Sequence, residues 1–109
     1  MSDVLKVLGQ IAAASATEED LYTVPNLALT TASSIIICNR TASPLTFRVS
    51  VAVAGAATAD KDFIFYDAPI PGNSTVTAVV GMTMNQSDVV RTYASGTGLS
   101  FNLFGVETS

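Results

Sequence analysis

The stretch Thr46-Phe47-Arg48-Val49-Ser50-Val51-Ala52-Val53 (TFRVSVAV) sets Phe47, Val49, Val51 and Val53 on one side of an extended chain and Thr46, Arg48, Ser50 and Ala52 on the other. Side chains alternate between two faces in a strand, while a helix would scatter these apolar positions around its circumference, so the pattern specifies a strand with one buried face. The same alternation recurs near the C-terminus, where Leu99, Phe101 and Leu103 interleave with Ser100, Asn102 and Phe104. Between them Val89, Arg91 and Tyr93 oppose Val90 and Thr92, with Asp88 at the start of the strand. The expected inner set is Phe47, Val49, Val51, Leu99, Phe101 and Leu103, with Arg48, Ser50 and Asn102 outside.

Working outward, further strands are expected at Leu21 to Val24, Ser33 to Asn39, Lys61 to Asp67 and Thr75 to Val80 extended toward Met84, with a short one at Val4 to Leu8. The separators Pro25-Asn26, Asn39 to Pro44, Ala54 to Asp60, Pro69 to Asn73, Asn85 to Ser87 and Ser95 to Gly98 are built from residues that tolerate turn dihedrals. Ala12 to Asp20 is Ala-rich but ends in Glu18, Glu19 and Asp20. Acids oppose the dipole at a helix C-terminus, which favours a loop or one loose turn there. Short strands at this spacing predict an all-β chain, a single antiparallel β-sandwich of jelly-roll-like type with seven or eight strands. Residues 21–109 are assigned to the sandwich and residues 1–20 to an N-terminal arm.

The chain has 109 residues, enough for one domain with a core of its own. Charged residues make up 13% against about 25% in ordinary soluble domains, so much of the surface is neutral and suits an assembly. Lys6, Arg40, Arg48, Lys61 and Arg91 are scattered singly under a net charge of −4, which offers no stripe to neutralise phosphates and argues against direct nucleic-acid binding. No run reaches the roughly 18 apolar residues of a membrane span, and Asp3, Lys6 and Gln10 spoil the start as a secretory signal. A soluble product made in a reducing cytoplasm is expected.

Catalytic equipment is sparse. The chain has no His, which removes the commonest general base and imidazole ligand. Cys38 is the only cysteine, so thiolate zinc sites are excluded, and after Ile35, Ile36 and Ile37 it is expected to be a buried small hydrophobe. Glu18-Glu19-Asp20 and Asp60-Lys61-Asp62 are expected to be solvated acids rather than calcium ligands. Gly96-Thr97-Gly98 lacks the strand-to-helix setting of a phosphate loop. The sequons at Asn39, Asn73 and Asn85 are read as turn chemistry. No catalytic residue, metal or cofactor is predicted.

Several motifs come in a fixed order: Tyr22-Thr23-Val24-Pro25, Ser34-Ile35-Ile36-Ile37-Cys38-Asn39-Arg40, Phe47-Arg48-Val49, Ala54-Gly55-Ala56-Ala57, Tyr66-Asp67, Gly72-Asn73, Asp88-Val89-Val90-Arg91, Tyr93-Ala94-Ser95 and Leu99 to Gly105. Together they resemble a family of small β-sandwich virion structural proteins of tailed bacteriophages and prophages, over nearly the whole chain. The run Asn26-Leu27-Ala28-Leu29 departs from the smaller, more polar segment of the family. The resemblance implies a non-enzymatic particle component present in repeated copies: a capsid decoration or cement protein, with a tail, neck, baseplate or fibre-attachment accessory as the alternative. A carbohydrate-binding sandwich is a third class. The implied partners are copies of the chain itself, as a homo-oligomer such as a trimer, and a phage capsid or tail protein. Phe63, Ile64, Phe65 and Tyr66 are apolar on both faces of one strand. With Phe63 and Phe65 in the core, Ile64 and Tyr66 are expected to face a partner, together with Phe104.

Overall fold

The computed structural model describes residues 3–108. Each of the eight expected segments contains a strand: β1 Asp3–Ala12, β2 Glu18–Thr23, β3 Leu29–Asn39, β4 Leu45–Ala52, β5 Phe63–Ile70, β6 Thr75–Met84, β7 Val89–Ala94 and β8 Leu99–Thr108. Short 3-10 turns at Val53–Gly55 and Asp60–Asp62 join β4 to β5. The strands form two four-stranded sheets in the orders β1-β8-β3-β6 and β2-β7-β4-β5, with all pairings antiparallel. The pairs nest as β4 with β5, β3 with β6, β2 with β7 and β1 with β8, which is jelly-roll topology.

The sheets meet over Phe47, Phe101, Ile35, Ile37, Leu99, Leu103, Val49 and Val90, each no more than 1% exposed. Phe47 packs edge-on to Phe101 at 6.3 Å between ring centroids and against Phe65 at 5.4 Å. Each such buried side chain contributes roughly 1.5–3 kcal/mol relative to its exposed state. Turn chemistry closes the ends. Asn39 is buried with its Nδ2 donating to the carbonyls of Ser43, Ile70 and Pro71, while its Oδ1 accepts from the Thr41 amide and hydroxyl. Beside it Asn73 takes φ 54°, and a Cβ on Gly72 would fall 2.2 Å from the Ala42 carbonyl oxygen, so the corner needs glycine.

Four expectations are corrected. The arm expected over residues 1–20 is not one in its described part, residues 3–20: β1 pairs with β8 from Asp3↔Thr108 to Ala12↔Ser100 and delivers Leu8 to the core, and Ala13 follows it there. Its apolar residues on both faces hide the period, because a bulge between Val7 and Gly9 switches the alternation. Phe63 is not a core partner of Phe65. A bulge sets Val49 opposite Phe65 but Ser50 opposite Phe63, which turns Phe63 outward against Tyr66, with ring centroids 4.9 Å apart. Ser50 is buried although it lies on the outer face, since Val53 to Asp62 folds over that face. Arg91, opposite Ser50, ties the segment down by donating to the carbonyls of Gly55 and Ala56 and the Thr58 hydroxyl, while pairing with Asp20 at 3.0 Å. Cys38 is half-buried on the outer face of β3, between Ser100 and Thr75, because Ile35, Ile37 and Asn39 take the inner positions.

Candidate docking surfaces

Residues directly opposite in an antiparallel pair share a face, so the strand register maps the outer surface of the β1-β8-β3-β6 sheet. Four cross-strand rows cover it: Leu5, Val106, Thr31 and Thr83; Val7, Phe104, Ser34 and Val79; Gln10, Asn102, Ile36 and Thr77; Ala12, Ser100, Cys38 and Thr75. None of these side chains is charged. Charge appears only at the ends, where Asp3 accepts from the Thr108 hydroxyl and Arg40 donates to Ser100. Leu5 is 82% exposed and Val79 89%, while Leu5, Val7, Phe104 and Val106 line a shallow groove that Lys6 and Ser33 also border. Large apolar side chains left this bare on a neutral sheet are the composition of an interface centre.

The opposite sheet presents a different surface. Arg48 projects outward from β4, its guanidinium 4.3 Å from the Tyr66 ring centroid and 4.5 Å from that of Tyr93, and it donates to both oxygens of Asp67 at 2.7 and 3.3 Å. Asp60, Phe63 and Tyr66 border a shallow cleft beside this stack. Of the residues expected to face a partner, Ile64 and Tyr66 are therefore on β5 and Phe104 is on the other sheet, facing away from them. The structure does not bring them together. Ile64 and Tyr66 are 46% and 59% exposed, and Tyr66 is engaged by Arg48 and Phe63 within the chain.

Leu5, Val7 and Val79 join Phe104, although sequence reasoning passed over them. The signal was present in Val4-Leu5-Lys6-Val7-Leu8 and in Val76 to Val80, which are apolar on both faces as Phe63 to Tyr66 is.

At the open margin between the sheets, the Tyr22 hydroxyl bridges Thr30, at 2.7 Å, and the Glu107 carboxylate, and Lys6 pairs with Glu107 at 3.0 Å. Burial, with Glu107 beside it, pushes the Tyr22 phenol up to about 12, and the Tyr22 hydrogen bond, helped by Lys6, holds Glu107 below the usual carboxylate range. Asp62 is buried rather than solvated and is held low by the Ala59 amide, with Lys61 adding to the effect. These groups are bonded to their own fold and lie in no cleft with a nucleophile. Among the described residues no group of three or more His, Cys, Asp or Glu could hold a metal ion, and no helix is long and apolar enough to cross a membrane. Neither the family models nor the curated proteins compared with this chain match it.

Proposed function

We propose that the chain is a non-enzymatic structural subunit of a tailed-phage particle, a capsid decoration protein that clamps shell subunits through repeated contacts. The observation that carries this reading is the charge-free outer face of the β1-β8-β3-β6 sheet, with Phe104 at its centre and Leu5 and Val79 bare beside it. Four strands about 4.8 Å apart and ten residues of about 3.3 Å each span roughly 15 by 33 Å. That is about 500 Å² in plan, roughly 60% of the ~800 Å² per partner that a standard interface buries. Modest affinity at each contact suffices when many copies engage one shell, because linked contacts multiply. Ile64 and Tyr66, on the other sheet, offer a smaller second contact for a neighbour. The Tyr66 and Tyr93 rings each spend a face on Arg48, which counts against a saccharide-stacking platform.

The test is incorporation. Phe104→Asp is expected to fold, as judged by far-UV circular dichroism, and to be lost from particles, while wild-type chain is retained at hundreds of copies per virion. A count of a few to a few dozen moves the site to the tail or neck. A wild-type chain that never copurifies with particles overturns the proposal.

A further inference from the structure

A β-sandwich has open sheet edges whose outward N–H and C=O groups invite another strand, and proteins blunt them with charge, proline, bulges or short length. Three of the four edges here are blunted. β2 is six residues long, begins Glu18-Glu19-Asp20 and is bulged between Asp20 and Tyr22. β5 carries Pro69, has Asp67 at φ 49° and loses register twice. β1 carries Asp3 and Lys6, is bulged between Val7 and Gly9, and lies so close to β2 that a Cβ on Gly9 would meet the Leu21 carbonyl oxygen at 2.4 Å.

β6 is bulged between Val79 and Met82, but its first half has no comparable protection. Its ten residues, Thr-Val-Thr-Ala-Val-Val-Gly-Met-Thr-Met, include no charge and no proline. Thr75 to Val79 pair one-to-one with Cys38 to Ser34, and the register breaks only beyond Val79. Here the outward side chains are Thr75, Thr77 and Val79, the last 89% exposed, and a Cβ on Gly81 would meet nothing within 4 Å. A neutral stretch in unbroken register at a sheet edge, with four of the five residues Thr75 to Val79 β-branched, is a template for strand addition.

We propose that β6 pairs antiparallel, about a two-fold axis, with β6 of a second copy of this chain, joining two four-stranded sheets into one continuous sheet of eight. Self-pairing centred on Thr77 sets Thr77 opposite its own copy, Thr75 opposite the second copy's Val79, and Val76 opposite its Ala78. No like charges meet, as they would if β2 paired with itself, and β-branched residues line up across the seam. The contact is isologous and closes at two copies, because the remaining edges are blunted and cannot propagate it. It goes beyond the virion reading and stands without it: a dimer leaves the Phe104 face free for a shell or tail protein. It also departs from the trimer that the family resemblance suggested.

Sedimentation equilibrium of the wild-type chain is expected to give twice the 11.3 kDa protomer mass. Amide hydrogen exchange in that dimer is expected to protect every backbone N–H from Thr75 to Val79, including those pointing away from β3. Val79→Lys and Thr77→Lys, both at exposed positions, should halve the mass and abolish the outward protection with the circular dichroism spectrum unchanged. A monomeric or trimeric wild-type chain overturns the proposal. So does a dimer whose outward β6 amides exchange freely, or one that persists in both folded lysine variants. If both variants misfold, the wild-type exchange pattern alone decides.

Discussion

Thr92 sits on the inner face of β7 opposite Val49, 1% exposed, and its hydroxyl is a buried side-chain oxygen with no hydrogen-bond partner. A hydroxyl that loses water and gains no partner destabilises the fold, and valine keeps the β-branched shape. Thr92→Val is expected to raise stability by about 1 kcal/mol in urea unfolding; a lower midpoint would show that the hydroxyl has a role. Tyr22 and Glu107 make the fold sensitive to pH at both limits. Glu107 is held below its ordinary carboxylate value in the folded chain, so its contribution is complete above that value and is lost as pH falls through the depressed one. Tyr22 titrates near 12 instead of near 10, so its contribution is complete below 10 and is lost as pH rises through about 12. The melting temperature should therefore fall at both ends of the pH range. Glu107→Gln should flatten the acid limb and Tyr22→Phe the alkaline one, and limbs unchanged in both variants would assign the pH sensitivity elsewhere.

At the scale of the strands, β1 decides whether the first residues are an appendage or part of the sandwich. Its pairing covers the outer edge of β8, and Leu8 fills the core beside Gly105, where a Cβ would already lie 2.2 Å from the Thr31 carbonyl oxygen. Deleting residues 1–12 is expected to abolish cooperative unfolding, measured by loss of the thermal transition. A truncated chain with the wild-type transition would restore the arm. Strand content and the inner faces of β4 and β8 were legible in the sequence because strict alternation reports one buried face directly. The faces of Phe63, Ser50 and Cys38 were not legible. They depend on a bulge, on a loop folded across a sheet, and on which residues of an apolar run turn inward, and alternation does not encode these. Phe104 was found because it breaks the polar series of β8, whereas its neighbours Leu5 and Val79 lie in runs that are apolar on both faces. The clustering of these residues follows from cross-strand register, which links positions far apart in the chain.

For the whole molecule, the outer faces of the two sheets divide the work: one is tied up with Arg48, Arg91 and the Val53 to Asp62 segment, and the other is left neutral and bare. The nested order of the pairs has a consequence in time. Asp3 and Thr108 hydrogen-bond across a separation of 105 positions, and ribosomes add about 5–20 residues per second. β1 is therefore made roughly 5–20 s before the strand it needs. Only β4 and β5 are both neighbours in sequence and partners in space, so we predict that they pair first, followed by β3 with β6, β2 with β7 and last β1 with β8. Pulse-labelled exchange during refolding should protect the β4 amides before those of β1, and simultaneous protection would contradict this order. On this order the nascent chain acquires its structure from the middle outward, and β1, made before the other seven strands, is among the last to become native.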